Sequence, residues 1–600
     1  MEKRYRSGEL IRFPNGDGSE FVFCRESQSC RIIPTPVVRA LVTCHYFDTL
    51  QAHAARVQQG GDTQDTSQVL AMLDQLVNAG LLIPQSSHSD HGSPYIESQL
   101  KVTTLCLVSK DRPELLAATL RSYTDACIRF DRALDFVVGD DSWDPAIRTE
   151  YLGRLKEFLV EPNRLHIWYA GREHRELFAE QLRTRSGIPG DVIRFALTPS
   201  PFEKNTVGAN RNAMLLQAAG ELMFWADDDI ACHVGRPPNA TSDGLAFFSG
   251  YDPAEIWFYR SREDALHSVS YEDVDLLSLH EKLLGRSIAS CTQEATAQGK
   301  LRSEPSYRFL ADMCRNRGRV LVTLMGLVGD CGMEYPNWFW LDARSRKRLM
   351  ASRELYETAF ASREILAVAP SYVISSGTFC MCGANGIDNT DLIPPYFPVG
   401  RSEDGLFGVT LRRCYPDGYF GHIPWAIVHE PPAIRRFAPE DKYAAVGCRI
   451  SDILTWCVEA FPPPVPGSER ERNLRRLGQH LMELGRMELH EFEEFVKLRH
   501  LHSVATMYNQ MKAQLKSEPE VPNFWRTDVD QYLDALVSAA TAPMPLLPRD
   551  ITCSNIEEAR QTTQRYVRQY GELLWWWPDI FAATMQLKRA GTHLAARVSE

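Results

Sequence analysis

Between Asn205 and Ile230 the chain reads NTVGANRNAMLLQAAGELMFWADDDI, a stretch that few folds accommodate. Met214, Leu215, Ala218 and Ala219 recur at three- and four-residue spacing, which predicts a helix. Gly220 stops that helix, and Leu222–Ala226 is a short apolar run suited to a strand buried on both faces. Three carboxylates follow directly: Asp227, Asp228 and Asp229. Like charges this close repel and raise one another's pKa. The triplet is therefore a solvated acidic turn, a helix N-terminus that favours negative charge, or a set of oxygen ligands for Mg²⁺ or Mn²⁺, ions that pair one or two carboxylates with substrate phosphates.

Composition narrows the class. Six hundred residues imply several domains, and 44% hydrophobic with 24% charged residues is ordinary for a globular enzyme. A formal net charge of −11 argues against a general nucleic-acid binder, which needs a basic excess to release counterions. The 15 cysteines are scattered and form no zinc-finger CxxC pair, so they read as buried small hydrophobes. MEKRYRSGEL has no apolar core of a signal peptide, and no 18-residue apolar run is present. These features predict a cytoplasmic protein with no transmembrane segment.

Residues 1–95 read as a small α+β module. Glu20–Phe23 and Cys30–Ile33 suit a hairpin, Thr35-Pro36 starts a helix, and Val69, Leu70, Leu73, Leu76 and Val77 mark a second helix that Gly80 ends. The order suggests a winged-helix-like unit. The hairpin, the helix after a proline and the ending LDQLVNAGLLIP resemble PqqD-like domains, which recognise the precursors of ribosomally made, modified peptides. A packing or oligomerisation role is the other reading. Gln85–Ser98, rich in Ser, His, Gly and Pro, reads as a linker.

From Lys101 strands alternate with helices, which predicts a parallel sheet with ligands at the carboxyl ends of its strands. Val102–Val108, Leu134–Val138 and Leu165–Ala170 are the strands, and Gly139-Asp140-Asp141-Ser142 reads as a turn. Four segments then resemble the GT-A glycosyltransferases, family 2 in particular: TLCLVSKDRPELLAATLRSY, FVVGDDS, GANRNAMLLQAAGELMFWADDD and RSEDGLFGVTLRR. They span roughly residues 101–432 in the family's order. The resemblance implies an α/β, Rossmann-like nucleotide-sugar domain over residues 96–435, between the N-terminal module and a helical domain over residues 436–600.

It also implies roles. Ser109, Arg112, Asp140, Asp141 and Arg211 would serve the nucleotide, and Asp228 the sugar or ribose. Asp227, Asp229 and His429 would hold Mn²⁺ or Mg²⁺. Asp404, with Glu403 as the alternative, would be the base of an inverting transfer from a nucleotide-sugar, a UDP-sugar first, to an acceptor that includes a peptide or protein side chain among the options. Glu403-Asp404 is equally an ordinary acidic start to a helix.

Residues 233–370 exceed the family's usual length, and Trp257-Phe258-Tyr259 and Trp338-Phe339-Trp340 within them read either as acceptor-binding elaboration or as core. Ser371–Cys382 is strand-like, Gly383–Gly386 a turn, and Ile423–Val428 a last strand with His429 after it. Leu474, Leu477, Leu481 and Leu484 begin an amphipathic helical region. A helix over Ile556–Ala596 is expected to break at Trp575-Trp576-Trp577-Pro578, whose tryptophans suit a buried anchor or a sugar or membrane-interface platform. Rival functions are a silent nucleotide- or peptide-binding scaffold, a polysaccharide or small-molecule glycosyltransferase, and a nucleotidyltransferase. The last is disfavoured because SKDRPE offers no Gly-rich phosphate loop.

Overall fold

The computed structural model describes all residues except 1–2, 9, 15–16, 25, 28, 60–64, 86–99, 161–165, 200–202, 204, 239–243, 304–305, 307–308, 310–311, 314–316, 382, 465–468, 519, 543–544, 552 and 600. The chain forms two compact units: Met1–Ser98 with Pro305–Arg317, and Gln99–Glu304 with Gly318–Glu600. Nearly all of the expected linker at residues 85–98 lies outside the described residues, as does Cys382. Among the described residues no helix is long and apolar enough to cross a membrane.

In the first unit β2 (Leu10–Pro14), β3 (Ser19–Cys24) and β4 (Ser29–Pro34) form an antiparallel sheet. The β3–β4 hairpin is the expected one, and β2 adds a strand the sequence reading missed. β1 (Tyr5–Ser7) pairs with β5 (Leu82–Pro84). Helices cover Thr35–Thr43, Leu50–Gln59 and Thr66–Asn78. Val22, Val38, Leu41, Val69, Leu73 and Leu82 form their common core.

Among the described residues the second unit is built on one mixed sheet of 14 strands. In chain order these are β6 (Val102–Ser109), β7 (Asp135–Asp140), β8 (His166–Ala170), β9 (Glu221–Asp227), β10 (Ile230–Arg236), β11 (Leu245–Phe248) and β12 (Glu255–Phe258). β13 (Ser270–Tyr271), β14 (Arg319–Asp330), β15 (Glu364–Val368), β16 (Tyr372–Ser375), β17 (Ala384–Asn389), β18 (Gly418–His429) and β19 (Ala596–Arg597) complete it. The main path runs β11-β16-β18-β14-β17-β9-β6-β7-β8-β19.

β8, β7, β6 and β9 are parallel, whereas β17 runs antiparallel to both β9 and β14. The chain leaves β6 for β7 on one side and later returns as β9 on the other, so a topological switch point lies at the carboxyl ends of β6 and β9. Register aligns those ends, pairing Ser109 with Asp140 and Val108 with Asp227.

Several local expectations are corrected. Ala384–Asn389 is a strand buried along its whole length, so Gly383–Gly386 is not a turn. The run at Ser371–Cys382 yields only the four-residue β16. Gly139 and Asp140 end β7 rather than open a turn, and His429 is the last residue of β18 rather than the one after it.

The helix Ile556–Arg589 continues through Pro578. Packing outweighs the lost backbone hydrogen bond there: Trp577 is fully buried and its indole N–H donates to the Ile393 carbonyl (2.7 Å). Trp577 is thus the anchor of the tryptophan run. The helices Arg470–Leu484 and Ile556–Arg589 share a core with Met214, Leu215 and Trp225 of the sheet region. Phe258, Trp338 and Phe339 are likewise core, the Trp338 indole donating to Ala359 O (2.7 Å).

Candidate functional site

The helix Val207–Gln217 is buried on every side from Gly208 onward, which is why its sequence is apolar or small except for Asn210, Arg211, Asn212 and Gln217. Each of the first three polar residues has a fixed task. Asn210 donates to Gly139 O (2.8 Å), tying the helix to the end of β7. Asn212 donates to Ala196 O (3.2 Å) and Tyr396 O (3.0 Å) and accepts from Tyr396 N (2.7 Å). Arg211 lies under the ends of β9 and the helix Glu403–Cys414, donating to Asp227 Oδ1 (3.3 Å) and in a close ion pair to Glu403. Trp225 and Tyr396 present their rings to its guanidinium at 5.4 and 5.8 Å.

The three consecutive carboxylates at the end of β9 have three different environments. The Asp228 side chain turns inward at 7% exposure, accepting from Ser109 Oγ (2.6 Å) and Arg112 Nη1 (3.1 Å). Tyr151 Oη completes that chain, 2.6 Å from Ser109 Oγ and accepting from Arg112 N (2.9 Å). Ser109 and Asp228 are therefore partners of each other, and both are buried.

The Asp227 side chain is 36% exposed, the most open of the three. Asp229 stands between cations, with Arg112 Nη1 3.6 Å from Oδ2 and His429 Nε2 3.3 Å from Oδ1. Although one edge of Asp227 reaches solvent, the protein packed around it strips enough water from the carboxylate to push it up to about 7, against the pull of Arg211 and with help from its two acidic neighbours. Burial likewise lifts Asp228 to about 6. For Asp229 burial is outweighed by the hydrogen bond and charge of His429, with Arg112 and Arg435 adding, and its pKa falls. His429 is disfavoured as a cation by burial but held up by Asp229.

Strand register delivers His429 to this place. It pairs with Ile230 of β10 on one side and Gly329 of β14 on the other. Gly329 has φ +111°, and a Cβ there would lie 2.4 Å from His429 O, so no side chain fits. The next residue, Asp330, accepts from His429 Nδ1 through its main-chain carbonyl (2.6 Å). That bond fixes a proton on Nδ1, and Nε2 faces Asp229, to which the protonated ring donates; a metal ion would take the place of that second proton. The Asp330 carboxylate is fully buried between Arg363 and Arg435. Asp330 was missed by sequence reasoning, although its strand RVLVTLMGLVGD is an apolar run ending in an acid, the signal that singled out Asp227.

Asp140 and Asp141 are also at strand ends but closed off. Asp140 accepts from Ser142 N (2.8 Å) and Tyr169 Oη (2.6 Å), and burial raises its pKa. Asp141 holds Arg175 (2.7 Å), Arg172 (3.3 Å) and the Thr206 hydroxyl.

Glu403 and Asp404 open the helix Glu403–Cys414. Glu403 is buried in the Arg211 pair, with burial driving its pKa up. Asp404 is partly exposed and accepts from Gly405 N (2.8 Å). Ser402 before them has φ +62°, a left-handed conformation costly for a residue with a Cβ, and Arg449 Nη1 holds its hydroxyl (2.6 Å). Asp111, next to Arg112, is also left-handed at φ +58°. Two of the described non-glycine residues with positive φ therefore carry the loops on either side of the acidic triplet.

Asp227 is open, Asp229 follows it by two residues, and His429 is braced by a backbone carbonyl; the chemistry of these donors, carboxylate oxygen and imidazole nitrogen, is of the kind a divalent cation takes. Among the described residues no three His, Cys, Asp or Glu side chains already converge at ligand spacing. Compared with protein-family models the chain matches none, and no curated protein matches it.

Proposed function

We propose that the chain is a metal-dependent, inverting glycosyltransferase of the GT-A type that takes a UDP-sugar as donor. The observation that carries the reading is the contact of His429 with Asp229 at the switch point of a parallel sheet, with Asp227 of the same triplet tied through Arg211 to the acidic helix start at Glu403. The antiparallel β17 beside β9 and the segment order support the same reading.

Mn²⁺ or Mg²⁺ held by Asp227, Asp229 and His429 would supply positive charge against the departing diphosphate. Arg112 stands beside that charge with its side chain half-exposed. Asp404 is the base: Glu403 is committed to Arg211, whereas Asp404 reaches solvent. The acceptor hydroxyl gives its proton to Asp404, its oxygen bonds to the anomeric carbon, and the bond from that carbon to the diphosphate oxygen breaks on the opposite face. Asp140 and Asp141 shape the nucleotide end by fixing the β7 terminus, Tyr169, Arg172 and Arg175. The sheet and helices of Met1–Ser98 support a winged-helix-like, PqqD-like unit, and with it a peptide or protein acceptor.

Calorimetric titration of UDP and GDP, with and without Mn²⁺, tests the donor reading. Mn²⁺-dependent binding of UDP is expected. A folded protein that binds neither nucleotide overturns the reading.

A further inference from the structure

Arg449, far along the chain in the helical region, touches both sides of the acidic site. The segment that follows Asp330 belongs to the His429 side. Gly332 N donates to Asp330 Oδ1 (2.8 Å), and a Cβ on Gly332 would lie 3.6 Å from His429 Cε1. Glu334 and Tyr335 are in the same segment. The other side is the start of the helix Glu403–Cys414, entered through left-handed Ser402. Arg449 Nη1 donates to Ser402 Oγ (2.6 Å), Nη2 forms a close ion pair with Glu334, and the guanidinium lies 5.1 Å from the Tyr335 ring centre.

The arginine is itself firmly seated. Its side chain is 9% exposed, and it stands directly before the helix Ile450–Ala460. Arg449 N donates to Asp452 Oδ2 (2.7 Å), and Ile450 N to Asp550 Oδ1 (3.0 Å). Ser402 is the yielding partner, because a residue with a Cβ keeps a left-handed conformation only where its surroundings hold it there. Ser402 O accepts from Leu406 N (3.2 Å), so a rotation at Ser402 carries the first helical turn, and Asp404 with it. Arg211 already joins Asp227 to Glu403. We infer that Arg449 is a positioning residue, a second tie that sets Asp404 relative to the His429–Asp229 pair by holding Ser402 on one side and Glu334 on the other. Its catalytic meaning rests on the reading of Asp404 as the base; its geometry does not.

Glu334 is 54% exposed and Glu403 keeps Arg211, so Arg449→Met and Glu334→Gln strand no buried charge. Both should fold, which thermal-unfolding midpoints near that of wild type verify. Hydrogen exchange at the Gly405 and Leu406 amides of the full chain reads the tie. Arg449→Met should speed it at least about tenfold, and Glu334→Gln, acting from the opposite side, about threefold. Arg449→Lys should lose less, and the double variant no more than Arg449→Met alone, because both changes cut one connection. Exchange in the helix Val207–Gln217 should stay that of wild type. The catalytic role is read from UDP-glucose, UDP-galactose and UDP-N-acetylglucosamine with water as acceptor, giving UDP and the free sugar. In Arg449→Met kcat should fall at least about tenfold with KM within about twofold, and Arg449→Lys should restore part of it. Unchanged exchange in both single variants overturns the tie and leaves the donor reading standing. Faster exchange with unchanged kcat overturns the positioning role. A wild type that binds no UDP, or releases none from these donors, counts against the donor reading and not the tie, which the exchange rates decide.

Discussion

The acidic ends of β7 and β9 look alike in sequence and differ in the structure. GDDS and ADDDI both place consecutive aspartates at the carboxyl end of a parallel strand beside the same switch point. At β7 the carboxylates are sealed: Asp140 is held by Tyr169, and Asp141 by Arg172, Arg175 and Thr206. At β9 only Asp228 is sealed, while Asp227 is open and Asp229 lies between Arg112 and His429. An acid at a strand end thus marks a site only where its partners leave it accessible. The sealed pair holds buried arginines in place, whereas Asp227 and Asp229 keep an edge toward solvent, Asp227 the wider one.

The sharpest way to break this contrast is to remove one acid from each end. Asp141→Ala strands Arg175, which is 0% exposed, together with buried Arg172. Breaking a buried ion pair in this way costs about 3–5 kcal/mol. Asp227→Ala leaves Arg211 paired with Glu403 and is expected to cost about 1 kcal/mol or less. Denaturant midpoints compare the two, and equal losses would refute the division.

Next in size is the effect on ligand binding. Asp229→Ala should reduce Mn²⁺-dependent UDP affinity by at least about 100-fold, the upper range for disturbing a metal centre's support. Stability should change far less than in Asp141→Ala. Calorimetry on the variant reads this directly, and undiminished affinity would remove Asp229 from the metal site.

The same contrast extends to the histidines. His429 is held up by Asp229, but His280 and His422 are enclosed, and burial drives each down to about 3 from the ordinary 6.5. The unfolded chain takes up protons near pH 6.5 that these two residues refuse until about pH 3. Stability is therefore full above pH 6.5 and falls as the pH drops through that window, by about 1.4 kcal/mol per pH unit for each histidine. His422→Asn should flatten the acid dependence of the unfolding midpoint relative to wild type. An unchanged slope would show that the ring is charged in the folded protein.

Much of this was legible in the sequence because it is local. The alternation of β6, β7, β8 and β9 with helices, the helix Val207–Gln217, the acids Asp227–Asp229 and the acidic helix start at Glu403 all follow from short-range pattern. What was not legible depends on pairing between distant segments. The resemblance alone set His429 beside Asp229; the register of β18 against β10 and β14 that brings them together is not in the residues, and Asp330 is placed by arginines 33 and 105 residues away. Sealing of Asp141 uses Arg172, Arg175 and Thr206, all on later elements. The turn expected at Gly383–Gly386 was wrong for a related reason: its glycine-rich sequence suits close sheet contact, and a Cβ on Gly386 would meet Thr323 Oγ1 at 2.4 Å.

Asp144 provides the smallest and most local test of the comparison. It lies three residues beyond Asp141 and is exposed, so it belongs neither to the sealed pair nor to the open one. Its Oδ1 accepts from Ala146 N (2.8 Å) at the start of the helix Pro145–Lys156, with Pro145 in the first position, where a missing N–H is harmless. The carboxylate thus satisfies one of the helix's open donors and does nothing else the fold requires. Asp144→Ala should cost about 1 kcal/mol, and Asp144→Asn only a few tenths, because an amide oxygen caps nearly as well. Denaturant midpoints for the two variants, set beside Asp141→Ala, rank three carboxylates of one short segment by what surrounds them. An Asp144→Ala loss as large as that of Asp141→Ala would show that proximity in sequence, rather than burial and pairing, sets the cost.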